Sequence, residues 1–325
     1  MRLYTVVSAL LAPFNLVLIR RTTLDRVMDQ LHGLQQQAAI KPTVVPTEPA
    51  LEEALHAISS VQTAKTVELK QTLLRHQIAS KWNVVDFLER HGAEPLHTRK
   101  CPLCHHEASQ TEFSARESHC IFGGGVLRRY QCPACDLVFG PDKIFGLTPQ
   151  ELSQDYEWHY QVYQEGDSTA QELRAFHAMN PVRDGCYLNY GAGAWSRSVH
   201  ILRQEGWQVY AYEPHASASA GGEYAIQGKT ALSAMRFDGI YSNNVLEHLR
   251  HPVQDLSYLR TLLKPGGCMA HATPCFEYLY EFTRFHLCFF LGRSREILAK
   301  KAGLEMRNYI HDGEFMCGIF ESRGT

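Results

Sequence analysis

Four cysteines are spaced to hold one metal ion. Cys101-Pro-Leu-Cys104 and Cys132-Pro-Ala-Cys135 are two C-x-x-C knuckles. A tight turn between two thiolates aims both sulfurs at one tetrahedral ion, and a second knuckle completes four ligands. Zinc is the expected ion, and a shell closed by four thiolates makes it structural. The spacer is long for such a unit and contains His105, His106, His119 and Cys120 as competing ligands. The other reading of the thiols is buried free cysteine or a redox pair.

A second pattern suits an adenosine-type cofactor. Cys186–Tyr190 reads as a short strand running into Gly191-Ala-Gly-Ala-Trp195. A helical pattern follows over 196–205 and stops at Gly206. Trp207–Tyr212 is then a second strand, ending in Glu213-Pro214. Glycines let backbone approach a ligand, and an acid at the end of the second strand accepts hydrogen bonds from ribose hydroxyls. A dinucleotide enzyme would share this much. The next stretch separates the two: Phe237-Asp-Gly-Ile-Tyr-Ser-Asn-Asn244 is a strand with its exit loop, and Val245-Leu-Glu-His-Leu249 opens a helix. Leu262-Leu-Lys-Pro-Gly-Gly267 ends that helix, and Cys268–Pro274 is the following strand.

This succession resembles the class I S-adenosylmethionine-dependent methyltransferases over residues 184–321, with FDGIYSNNVLEHLRHP and LLKPGG nearest their signature. The cysteine knuckles, followed by the tyrosine-rich Tyr156-Glu-Trp-His-Tyr160 and Tyr163, extend the likeness to ribbon-bearing sugar and polysaccharide methyltransferases. The resemblance implies an α/β, Rossmann-like sheet with an antiparallel final hairpin and S-adenosylmethionine as cofactor. It puts Asn189, Gly191, Ala192 and Gly193 against the methionine end, Glu213 and Pro214 at the ribose, and Asn243, Asn244 and Val245 along the pocket. Two positions depart from the pattern: Trp195 stands for the third glycine, and Asn189 for the usual acid. The stretch from Pro214 to Phe237 is too short for a full helix-strand-loop unit, which leaves the adenine contacts unassigned.

Methyl transfer from a sulfonium is an in-line displacement that depends on alignment and exclusion of water, together worth roughly 7–11 kcal/mol. A hydroxyl acceptor also wants a general base, contributing about 10²–10⁴-fold. His248 is the first candidate, because it follows the strand whose carboxyl end borders the cofactor. Glu247, His271, His286 and Tyr160 are weaker ones. The resemblance implies a sugar hydroxyl or nucleotide-linked sugar as acceptor, with O-methylation expected. An RNA acceptor is the second reading, and a non-catalytic scaffold or partner-binding subunit the third. A net charge of −2 speaks against bulk binding of nucleic acid.

These residues need elements to position them. A helical arm is expected over 1–95, a zinc ribbon over 96–150 and the methyltransferase domain over 151–325. Residues 22–40 and 50–92 carry apolar residues at spacings of three and four. They read as separate amphipathic helices, Leu51–Ile58 and Val67–Leu74 among them, fit for packing or homo-oligomerisation. The apolar stretch Leu3–Ile19, followed by Arg20-Arg21, reads either as a helix docked on its own protein or as a segment on the inner face of a membrane. The chain has 45% hydrophobic and 20% charged residues, as ordinary globular proteins do, and its paired thiols fit a reducing cytoplasm. Near the end, 294–302 is helical, and Leu304–Ile310 and Glu314–Glu321 are strands joined through Asp312-Gly313.

Overall fold

The computed structural model describes residues 29–30, 48–92, 97–163, 166–193, 196–214 and 222–322. The segment 1–21, and nearly all of 22–40, lie outside them. The chain divides into two compact units, Met1–Gly92 and Ala93–Thr325.

In the first unit α1 spans Glu48–Gly92 as one helix of 45 residues. This corrects the expectation of separate short helices. Pro49 sits in its first turn, where proline is tolerated, and Gly92 ends it; no other glycine or proline interrupts the run. Thr66 and Thr72 donate their hydroxyls back to the Gln62 and Glu68 carbonyls, so even the polar residues follow the helix.

In the second unit the ribbon comes first. Strands β1 (Thr98–Lys100) and β2 (Glu107–Ser109) form a hairpin. Strands β3 (Ser114–His119), β4 (Val126–Gln131) and β5 (Leu137–Phe139) form an antiparallel sheet. Two helices lead onward, α2 (Asp142–Phe145) and α3 (Pro149–Val162). A reciprocal cap between Thr148 and Glu151, with Pro149 at the first helical position, starts α3. Helix α4 (Thr169–Ala178) follows.

The second sheet begins with β6 (Cys186–Tyr190), α5 (Arg197–Gln204) and β7 (Gln208–Tyr212), then α6 (Gly228–Ser233), β8 (Phe237–Asn243), α7 (Pro252–Thr261) and β9 (Leu263–Ala272). After a short strand β10 (Cys288–Phe290) come α8 (Ser294–Lys301), β11 (Leu304–His311) and β12 (Met316–Ser322). The order is β11-β12-β9-β8-β6-β7, parallel from β9 to β7 and antiparallel at β12 and β11. The Rossmann-like sheet and its final hairpin are as expected.

Strand β8 is nearly all buried, as a central parallel strand covered on both faces must be. Phe176 of α4 packs edge-on against Tyr187, Trp207 and Tyr241, at ring centroids of 5.1, 5.1 and 5.6 Å. The Lys264–Gly267 turn, expected to precede β9, lies inside it as a bulge. Leu263 pairs with Phe237, and Cys268 then pairs with Gly239. Beyond β7, the described residues before Phe237 supply α6 and a parallel bridge between Ala211 and Ala225, but no named strand.

The ribbon sheet is completed from far along the chain. Strand β10 pairs antiparallel with β5, Cys288 opposite Phe139. The ribbon expected over 96–150 therefore shares one compact unit with the residues that follow. Arg129 of β4, wholly buried, donates to the carbonyls of Glu281, Thr283 and His286. Arg284 pairs with Asp155 of α3 at 2.6 Å, both side chains fully buried.

Candidate functional site

The two knuckles fold alike. In each, the first cysteine's N–H donates to the carbonyl five residues on, Cys101 to His106 (2.9 Å) and Cys132 to Leu137 (2.8 Å). In each, the residue after the second cysteine donates back to the first and takes a left-handed backbone: His105 at φ 65° and Asp136 at φ 68°. That conformation is uncommon without glycine, and here it turns both sulfurs of a knuckle to one side. The sulfurs of Cys101, Cys104, Cys132 and Cys135 lie within 4.8 Å of one another, with Cys101–Cys135 and Cys104–Cys132 both at 3.6 Å and no disulfide. Burial pushes the Cys132 thiol up to about 12, and the Cys101 sulfur raises Cys135 further. His105, His106, His119 and Cys120 are not in the cluster. A tetrahedral ion held by four thiolates fits these distances, and its charge would release the protons.

At the carboxyl ends of β6, β7 and β8 the expected cofactor residues meet along an open rim. Gly191 and Ala192 donate their N–H groups to the Tyr212 carbonyl (2.8 and 3.2 Å), and the Gly193 N–H donates to a Glu213 carboxylate oxygen at 3.0 Å. Gly191 has φ 75°, and a β-carbon there would stand 2.5 Å from the Val245 side chain. This is where only glycine fits. Asn244, at φ 54°, carries the chain out of β8, its N–H bonded to the Ala272 carbonyl. Gly193, Pro214 and Asn244 are exposed, and Asn243, Val245 and Glu213 partly so.

Asn189 is placed differently from its neighbours. It is buried, and its amide donates to Glu172 at 2.8 Å, to Ser196 at 3.1 Å and to Ser198 at 3.4 Å. Glu172, on α4, also accepts from the Ser168, Ser196 and Ser198 hydroxyls. Ser196 in turn caps α5 through the Val199 N–H. A buried carboxylate thus stands beside the strand end where the sequence has lost one. No spacing rule pointed to Glu172, because it lies on a helix before the strand.

His248 ends a short 3₁₀ turn (Leu246–His248) after β8. Its Nδ1 is 3.0 Å from the Tyr156 hydroxyl, and Tyr156 stacks on Phe285 with centroids 4.1 Å apart. Tyr156 stacks on Tyr160 as well, and Phe122 of the ribbon lies against His159 and Tyr163. Burial, then Arg284, pushes His159 down to about 4. Of the weaker base candidates, His271 is sealed inside β9, held down to about 3 by burial. Glu247 is also fully buried, which raises it to about 7. Tyr160 is 53% exposed.

Residues 161–309 match the family model described as a methyltransferase domain. No curated protein matches the chain in sequence. Among solved structures, a methyltransferase of calicheamicin biosynthesis with S-adenosylhomocysteine bound is 14% identical, over 56% of this chain and 65% of that one, with a TM-score of 0.39. A mitomycin 7-O-methyltransferase is 13% identical over 54% and 58%, with a TM-score of 0.37. The Burkholderia thailandensis 1,6-didemethyltoxoflavin N1-methyltransferase is 16% identical over 61% and 96%, with a TM-score of 0.45. The chain spans less than two thirds of the calicheamicin and mitomycin enzymes. The family match places a methyltransferase domain within residues 161–309.

Proposed function

We propose that this protein transfers a methyl group from S-adenosylmethionine to a hydroxyl of a sugar or glycan intermediate, most simply a nucleotide-linked sugar. The observation that carries the reading is the rim at β6, β7 and β8. There Gly191 and Gly193, the Glu213 carboxylate and Val245 come together, and His248 follows on the same strand's exit. Glu213 would take both ribose hydroxyls. Glu172, beside Asn189, would supply the negative charge that faces the methionine ammonium.

Bound S-adenosylmethionine would supply a methyl group for in-line displacement by the acceptor oxygen, the electron pair of the broken carbon–sulfur bond staying on sulfur. His248 would receive the hydroxyl proton. With Nδ1–H donated to the Tyr156 oxygen, Nε2 keeps the lone pair that receives it. The rings of Phe122, Tyr156, Tyr160 and Tyr163 offer an apolar face with polar tips, which suits a sugar ring. Zinc on Cys101, Cys104, Cys132 and Cys135 would stabilise the ribbon, with no part in the chemistry. Val67, Leu73, Phe87 and Leu88, exposed on α1, support its use as an association arm. Residues 1–21 would either dock on their own protein or lie on a membrane surface. Flotation with anionic vesicles, comparing the full chain with one starting at Thr22, distinguishes the two.

Calorimetric titration with S-adenosylmethionine and S-adenosylhomocysteine tests the core of the proposal. One site per chain is expected, weakened about tenfold or more in Glu213→Ala, since hydrogen bonds to a charged group contribute roughly 1.5–3 kcal/mol. No binding, or an unchanged constant in the variant, leaves the scaffold reading. Tyr156→Phe should lower kcat and shift its pH profile while the cofactor constant stays put.

A further inference from the structure

We propose that Glu247, Cys275 and His286 form a second metal site, separate from the four-cysteine cluster and built for a borderline-soft dication of the zinc type. One carboxylate oxygen, one sulfur and one ring nitrogen lie within 4.8 Å of one another, and the Cys275 sulfur is 3.3 Å from His286 Nδ1. The three donors come from three segments. Glu247 is in the turn after β8, Cys275 in the 3₁₀ turn Pro274–Phe276 after β9, and His286 in the run before β10.

The backbone fixes these segments to one another. Thr273 accepts the Cys275 N–H at 3.0 Å, and the Leu287 N–H donates to the Glu247 carbonyl at 2.7 Å. The donors are therefore positioned before any ion arrives.

Glu247 supplies the independent reason to expect one. Its side chain is wholly buried, and neither carboxylate oxygen makes a well-formed hydrogen bond among the described residues, the Thr273 hydroxyl and its own N–H being the donors near it. A buried anion left uncompensated is costly. The nearby cation, Arg129, spends its donors on backbone carbonyls and the Ser118 hydroxyl. A dication held by one thiolate and one carboxylate carries no net charge, so it can sit near that guanidinium.

Mixed sulfur, nitrogen and oxygen donors select zinc over magnesium or calcium, and three protein ligands leave one tetrahedral position. The site borders the carboxyl ends of β8 and β9, where open α/β sheets receive their ligands. His248 follows Glu247 in sequence, and its ring lies 5.0 Å from that of His286, centroid to centroid. The ion would hold in place the turn that presents His248.

The test is metal content, which does not depend on methyl transfer. The full chain, saturated with zinc and freed of excess, should hold two equivalents. Glu247→Gln and Cys275→Ser should each hold one. A wild-type content of one, or both variants keeping two, overturns the proposal. Should a variant fail to fold, cobalt added to wild-type protein already carrying one zinc decides it. Tetrahedral d–d bands with a sulfur charge-transfer band support the site, and their absence overturns it.

Discussion

The thiol cluster and the rim at β6, β7 and β8 each bring a few polar atoms together, by opposite means. In the cluster each pair of ligands is set by a five-residue turn, so the spacing of the cysteines already contains the geometry. At the rim the atoms come from α4, β6, β7 and β8, and a charge can stand on a neighbouring element, as Glu172 of α4 stands beside Asn189 of β6. Local sites are fixed by motif, whereas assembled sites are fixed by packing and tolerate exchange.

The largest test of that contrast is Cys132→Ser. If the cluster acts as a unit, losing one ligand loses the ion. Structural zinc contributes roughly 10–16 kcal/mol of apparent binding energy in small domains. Zinc content should fall by one equivalent, with a large drop in melting temperature, because the ribbon sheet shares strand β10 with the rest of its unit. Retained metal would show that His119 or Cys120 can substitute.

Next is Asp155→Asn, at the buried pair that ties α3 to Arg284. Leaving the guanidinium without its counter-charge should cost about 3–5 kcal/mol, read from urea unfolding. A cost under about 1 kcal/mol would mean that the other contacts of Arg284, the Phe122 carbonyl and the Phe285 ring among them, satisfy it.

The rim should tolerate exchange where the cluster does not. Glu172→Gln should weaken S-adenosylmethionine binding about tenfold or more, by loss of charge-assisted bonds of roughly 1.5–3 kcal/mol. Adding Asn189→Asp should return most of it, since the charge then stands where the fold usually has it. Failure of the double variant to recover would make Glu172 a structural residue only.

The smallest effect is acid sensitivity. His159 sits near 4 in the folded protein and near 6.5 unfolded. The unfolded chain therefore binds the proton first as pH falls. The stability this histidine contributes is complete above about 6.5 and drains away toward 4, on the order of 2 kcal/mol between pH 7 and 5. His159→Phe, in a box already lined by Phe122, Tyr163 and Phe285, should flatten that slope.

What could be read from residues alone follows the same division. The knuckles, β6, β7, β8 and the final hairpin were legible because short-range spacing dictates each one. The apolar residues of α1 drift around its axis, which suggests shorter helices, although the absence of interior glycine and proline carries the signal for one. Strand β10, the Arg129 ties and the Glu172 network were not legible. Each depends on a partner more than ten residues away, and nothing in Cys288-Phe-Phe290 says that its place is beside Phe139. Asn189 showed only as a departure from the resemblance, and the carboxylate beside it needed the packing of α4.

The strand borrowed by the ribbon has a consequence for how the chain comes into being. Arg129 finds the Thr283 carbonyl 154 residues later. A ribosome delivers the knuckles long before it delivers the strand that closes their sheet. A metal ion captured early would hold that half-finished edge in register through the wait, while the unpaired side of β5 stays open to wrong partners. Zinc supply during synthesis, more than in the finished protein, would then govern how much of it reaches the folded state.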